Sequence, residues 1–145
     1  MIIKERVEKI SKDLIENFKE VEPPTVGHFR HTGFMSPRIR PAFTGARLVG
    51  PAVTVKAPAN DSLIVHKVME IAKPGDVIVI DRCGDAIHAC WGYVVTMAAR
   101  LRGIAGAVID GVITDAAEIS DLKFPIYCTG TSAITTKLLG LGGEI

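Results

Sequence analysis

The stretch VIVIDRCGDAIHACWGYVVTMAARLRGIAGAVID, residues 77–110, decides the fold class. It opens on the continuous apolar run Val77–Ile80, closed by Asp81, and ends on a second such run, Gly106–Asp110. Neither run alternates apolar with polar residues, which is the pattern of a strand covered on both faces in a parallel sheet. Between them, YVVTMAARLRG (93–103) carries helical spacing, with Gly103 placed to close the helix. Strand, helix, strand in that order predicts parallel pairing through a right-handed crossover. The polar loop 82–92 then falls at the carboxyl end of a strand, where such sheets gather their ligands.

Outward from this unit the order repeats. On the C-terminal side, DAAEISDL (115–122) reads as a short helix and FPIYCTG (124–130) as a third strand. On the N-terminal side, SLIVHKVMEIA (62–72) reads as a helix begun near Asn60 or Asp61. ARLVGPAVTVKA (46–57) reads as a strand bent at Gly50-Pro51. Residues 22–45, rich in Pro, Gly and Arg, read as an extended loop. Ile3, Val7, Ile10, Leu14 and Phe18 form one apolar stripe, predicting an N-terminal amphipathic helix over about 2–20 that Pro23 and Pro24 end. The expectation is one α/β domain over residues 1–145, and TKLLGLGGEI reads as stopping short of a final strand.

Composition narrows the function classes. The chain is 48% hydrophobic, enough for a sizeable core, yet no apolar run reaches the roughly 18 residues of a membrane span. The charged N-terminus lacks a signal-peptide core, so the expected location is the cytoplasm. A net charge of +1 offers no nucleic-acid footprint. The local basic cluster Arg30, Arg38, Arg40 and Arg47 reads either as a solvated loop or as a phosphate or carboxylate site. Three cysteines without CxxC spacing argue against a disulfide scaffold or structural zinc. Cys90 and Cys128 read as buried small hydrophobes. Cys83 lies in a Gly-containing loop, and a nucleophilic role for it needs His88 as its base.

Candidate chemistry sits at two strand ends, Asp81 running into RCGDAIHACWG and Asp110 running into GVITD. The helix that begins after Gly92 has free N–H groups able to receive a carboxylate or phosphate. Asp115 has two readings, which coexist on a carboxylate with two oxygens. Asp115 with Glu118 fits a capping box, and the same carboxylate suits a metal ion. His66, on a helix, reads as a packed or exposed residue, and Trp91 as a packing anchor. No phosphate-loop, nucleophile-elbow or dinucleotide fingerprint is present.

The segments GARLVGPAVTVKAP, KPGDVIVID, ACWGYVVTMAARLRGIAGAVIDGVITD and FPIYCTG resemble the RraA-like family, which includes 4-hydroxy-4-methyl-2-oxoglutarate aldolase and the regulator of ribonuclease activity A. The resemblance runs from about residue 20 to 145 and implies a swivelling β/β/α domain. It also implies a homotrimer or hexamer with sites between subunits. For the aldolase branch it implies a magnesium or manganese ion and a small 2-oxo acid substrate, cleaved or decarboxylated through a pyruvyl enolate. On that pattern Asp115 is the metal-associated carboxylate, and Gly92, Tyr93, Val94 and Val95 supply substrate-binding amides. Two positions depart from the pattern. Thr114 stands where the family has arginine, and a hydroxyl cannot supply a charged fork. Tyr93 stands where the family has an acid, and a phenol is a poor base at neutral pH. Arg82 and His88, from the neighbouring loop, are the candidates to replace the missing catalytic groups. The resemblance thus implies a metal-dependent carbon–carbon lyase of altered or weakened activity, or a non-catalytic regulator that binds a protein partner such as a ribonuclease.

Overall fold

The computed structural model of the chain describes residues 1–6 and 10–145. In chain order the elements are α1 (Lys12–Lys19), α2 (Pro23–Gly27), β1 (Arg40–Pro41), β2 (Ala52–Lys56), α3 (Leu63–Ile71), β3 (Val77–Asp81), α4 (Tyr93–Leu101), β4 (Gly106–Asp110), β5 (Val112–Ile113), α5 (Ala116–Asp121), β6 (Ile126–Cys128) and β7 (Gly130–Thr131). The main sheet runs β1-β6-β4-β3-β2, and β5 pairs with β7 in a small second sheet. β2, β3, β4 and β6 are parallel, with β1 antiparallel on the β6 edge. The two runs that open the sequence reading are adjacent strands, in register from Val77↔Gly106 to Asp81↔Asp110.

The pleat sorts each strand onto two faces. Val55, Ile78, Ile80, Ala107, Ile109 and Ile126 enter one core with Ile64, Val65 and Val68 of α3, Ala99 of α4 and Ile119 of α5. Each of these side chains is at most 2% exposed, and fully burying one of the valines or isoleucines contributes roughly 1.5–3 kcal/mol. The opposite face carries Ala52, Val79 and Val108. There Leu14 and Phe18 of α1 stand over it across an apolar trough of about 540 Å³. The expected cover on both faces is therefore complete on the helix side and partial on the other, with Val79 and Val108 only half-buried.

Several expected boundaries move, each for a tertiary reason. The helix expected over about 2–20 spans Lys12–Lys19, begun by Ser11, whose hydroxyl accepts from the Leu14 N–H. Residues 2–4 bond instead to the far end of the chain: Ile2 N–H donates to the Gly143 carbonyl and Lys4 N–H to that of Ile145, both at 2.9 Å. A strand-like partner takes the donors a helix needs, and local period yields to it. Val7, part of the expected stripe, lies outside the described residues. Pro23 and Pro24 end α1 but also open α2 inside the expected loop, since proline suits the first helical turn. The strand expected from residue 46 begins only at Ala52. A side chain on Gly50 would meet the Gly75 carbonyl at 2.3 Å, so the chain crosses a neighbouring turn there before pairing. Gly103, at φ +70°, ends α4 as expected.

Candidate active site at the start of helix α4

Asp115 sits between β5 and α5 in the left-handed region, φ 55° and ψ 38°. Asp tolerates this conformation better than most residues, and strained backbone is concentrated at functional sites. The turn aims its carboxylate away from its own helix. The capping box expected for Asp115 and Glu118 is not formed, because Asp115 makes no side-chain cap to α5. Its Oδ2 accepts from the Tyr93 N–H at 2.8 Å, at the first turn of α4. Its Oδ1 accepts from the Thr114 hydroxyl at 3.0 Å. Asp115 thus caps a helix, but a different one, 22 residues away in sequence.

The two loops are locked together at this point. Thr114 N–H donates to the Trp91 carbonyl at 2.9 Å. Trp91 is the expected anchor: 1% exposed, stacked on Phe124, with its indole N–H on the Thr96 hydroxyl. Gly92 lies between them, and a Cβ there would stand 2.6 Å from both Asp115 Oδ2 and Thr114 Cγ2. Gly92 is therefore required by close approach, and Gly92→Ala is expected to push Asp115 off the α4 terminus and to cost about 1–3 kcal/mol of stability. Urea unfolding checks this, and a variant as stable as the parent disproves the tight contact. In α4 the first main-chain donor bonded back into the helix is Thr96, to the Gly92 carbonyl. With Tyr93 N–H on Asp115, the N–H groups of Val94 and Val95 face outward at a positive helix end.

Gly92, Tyr93, Val94, Val95, Thr114 and Asp115 therefore converge. Tyr93 and Val94 are exposed, and Val95 is a buried core residue. Arg82 does not join them. It is fully buried, and its Nη1 donates to the carbonyls of Ala57 at 2.7 Å and Asp61 at 3.2 Å. Its Nη2 reaches the Ala59 carbonyl and Asp85 Oδ2. Arg82, expected to stand in for the missing arginine, is thus a structural cation, since its two terminal nitrogens are held by the β2–α3 loop and by Asp85. His88 is half-buried, with Nδ1 2.8 Å from the same Asp85 oxygen.

Asp85 was not singled out in the sequence, although its spacing of three from both Arg82 and His88 was a legible signal. Burial pushes its carboxyl up, but the N–H groups of Ile87 and His88, the His88 ring and the Arg82 charge outweigh this and hold it at about 2. A depressed folded-state value stabilises above the unfolded value and loses that contribution as pH falls. The stability that Asp85 supplies is expected to fade from about pH 4 to about pH 2. Asp85→Asn should flatten that acid limb in a pH series of unfolding, and an unchanged limb would assign it to other carboxylates.

Cys90 and Cys128 are buried, as expected, and Cys83 is exposed. Burial pushes the Cys90 thiol up to about 11, which removes it as a nucleophile. His66 is exposed on α3. No helix among the described residues is long and apolar enough to cross a membrane. No cluster of three His, Cys, Asp or Glu side chains able to hold a metal occurs among the described residues. Asp115 still fits one kind of site. Each carboxylate oxygen has one donor and keeps a lone pair, and magnesium is commonly held by one or two carboxylates, waters and the substrate itself.

A family model described as RraA-like, Aldolase/RraA, matches residues 12–144. A protein of Halalkalibacterium halodurans named "Putative 4-hydroxy-4-methyl-2-oxoglutarate aldolase" is 45% identical over 104 residues, 72% of this chain and 50% of that protein. One of the same name in Shewanella oneidensis is 32% identical over 121 residues, 83% of this chain and 73% of that protein. The crystal structure of Streptomyces coelicolor RraAS2, described as an unusual member of the RNase ES inhibitor RraA protein family, matches with a TM-score of 0.79 at 28% identity, over 91% of this chain and 69% of that one. The chain spans about half the length of the first of these relatives.

Proposed function

The chain belongs to the RraA-like family, and on that premise we propose that it is a divalent-metal-dependent carbon–carbon lyase of the pyruvyl aldolase or oxaloacetate decarboxylase type, acting slowly on a small 2-oxo acid. The supporting observation is the Asp115 carboxylate anchored on the Tyr93 N–H beside the outward N–H groups of Val94 and Val95. Relatives named as aldolases support the same reading.

On this reading Asp115 holds a magnesium or manganese ion, which when bound polarises a keto oxygen. The chain's own groups do the rest. The Val94 and Val95 N–H groups receive the substrate carboxylate at the helix terminus. Thr114 orients Asp115 through its hydroxyl and adds no positive charge. Tyr93 presents a phenol where an acid is needed for water-mediated proton transfer. Val94 stands exposed at the site's mouth, and with the apolar trough beneath α1 it supports closure by a second subunit in a homotrimer or hexamer. Sedimentation should give a trimer or a multiple of it, and a stable monomer at micromolar concentration rejects that part.

A second reading is a non-catalytic regulator that binds a protein partner. Its support is the likeness to RraAS2 together with Thr114 and Tyr93 in place of an arginine and an acid. Crystals grown with magnesium and oxalate separate the two. Metal density on Asp115 with oxalate on the α4 terminus is expected for the lyase, and an empty α4 terminus favours the regulator.

A further inference from the structure

β2 is the edge strand of the main sheet. In a parallel pair every second residue turns its N–H and carbonyl toward the neighbouring strand. Val77 N–H donates to the Pro51 carbonyl at 2.8 Å and Ala57 N–H to that of Asp81 at 2.9 Å, so Val53 and Val55 face β3 while Ala52, Thr54 and Lys56 face outward. Lys56 N–H donates to the Glu144 carbonyl at 2.8 Å, and its own carbonyl accepts from the Glu144 N–H at 3.1 Å, an antiparallel pair. Among the described residues, no backbone partner meets the outward groups of Ala52 and Thr54. Residues 143–145 also pair on their other side. Ile2 N–H donates to the Gly143 carbonyl, Ile145 N–H to that of Ile2 and Lys4 N–H to that of Ile145, each at 2.9 Å. One strand therefore fits between β2 and the N-terminal segment.

Past Ile145 the two walls continue and enclose a groove of about 480 Å³, with Lys4, Glu5 and Arg6 on one side and Ala52, Val53 and Thr54 on the other. Arg6 fixes the outer wall, since its Nη1 and Nη2 donate to the two oxygens of the buried Asp76 at 2.6 and 2.5 Å. We propose that this slot receives an extended segment of another protein, added antiparallel to β2 in line with residues 143–145. With Glu144 opposite Lys56, the incoming residues stand opposite Thr54, Val53 and Ala52 in turn. Directly opposed side chains share a face of the sheet. Ile145, opposite Val55, packs against the core as Val55 does. Val53 is half-buried at the rim of that core, so the residue opposite it is apolar. The residues opposite Thr54 and Ala52, both exposed, are polar. A second copy does not pair here through its own β2 edge, because that edge carries the same outer wall. None of these residues belongs to the Asp115 site, so the inference stands apart from the lyase reading.

The probe is the capped peptide acetyl-Thr-Val-Thr-Val-amide, with acetyl-Val-Thr-Val-Thr-amide as the control that turns its apolar residues to the wrong face. Both are titrated into the whole chain and followed by nuclear magnetic resonance and amide hydrogen exchange. Exchange at the Thr54 N–H is expected to be fast without peptide and to slow by about tenfold or more with the first peptide. The control should bind about tenfold more weakly. Thr54→Pro removes an outward donor and spares the bonds to β3, as proline does on an edge strand. It should fold and bind the peptide about tenfold more weakly. The peptide N-methylated at its first threonine lacks the N–H that meets the Thr54 carbonyl, and it should lose a similar factor against the parent whether or not the proline variant folds. Absence of binding, equal binding of the two peptides, or binding undiminished by N-methylation overturns the proposal. So does a Thr54 N–H already protected without peptide, and protection that grows with protein concentration assigns the slot to a second copy instead.

Discussion

Thr114→Arg is expected to raise oxaloacetate turnover by about one to two powers of ten, and Asp115→Ala to reduce it to background. The first figure follows from a charge-assisted contact, worth about 1.5–3 kcal/mol, delivered to oxygens that become negative as the enolate forms. In the parent that position offers only the Thr114 hydroxyl, and the hydroxyl is donated to Asp115. Tyr93→Asp added to Thr114→Arg should raise the rate further, because a carboxylate then stands where water is organised for proton transfer. Asp115→Ala removes the proposed metal ligand. It also leaves the Tyr93 N–H at the α4 terminus without its acceptor, a loss of about 1 kcal/mol in stability. Steady-state turnover of the parent and three variants with magnesium, with folding followed by circular dichroism, is the measurement. A folded Asp115→Ala protein as active as the parent would falsify the metal assignment and leave Asp115 as the cap of α4 alone. If the parent is already fast, His88 is the next group to replace, since its Nδ1 is fixed by Asp85.

Arg82→Met is expected to cost about 3–5 kcal/mol of stability, enough to unfold a marginal domain. The guanidinium is wholly enclosed and serves the carbonyls of Ala57, Ala59 and Asp61 together with Asp85. Removing it leaves the three carbonyls without their donor, and Asp85 without its cationic partner, in a place water does not readily enter. Arg82→Lys should recover only part of the loss, because one ammonium cannot span the same fork. Urea unfolding midpoints for both variants decide it, and a loss under about 1 kcal/mol for Arg82→Met shows that the carbonyls find other donors. Asp61 extends the same network. Burial pushes its carboxyl up, but the N–H groups of Leu63, Leu139, Gly140 and Leu141 bring it below the usual range. The 137–141 segment is thereby tied to the loop that Arg82 holds.

The parallel core was legible because strand burial and helix periodicity are properties of neighbouring residues. Val77–Asp81 and Gly106–Asp110 occur as read, adjacent and in register, with the helix between them closed by Gly103. The same locality made Cys90, Cys128 and Trp91 legible as core residues. Local pattern failed wherever a distant segment competed for the same donors or acceptors. Ile3 opens a helical stripe, but the N–H groups of its neighbours Ile2 and Lys4 are taken by residues 143 and 145. Asp115 and Glu118 have capping-box spacing, but a left-handed turn at Asp115 delivers the carboxylate to α4. Arg82 lies in the right loop for a substrate contact, but burial turns it inward onto backbone carbonyls. By itself the sequence determined the α/β class, the central strands and the group of residues around Gly92 and Asp115. The tertiary structure alone decided which carboxylate meets which helix and which arginine is buried. Those outcomes depend on how a few long-range hydrogen bonds are satisfied, and a buried donor or acceptor takes the partner that folding places beside it rather than the one nearest in sequence.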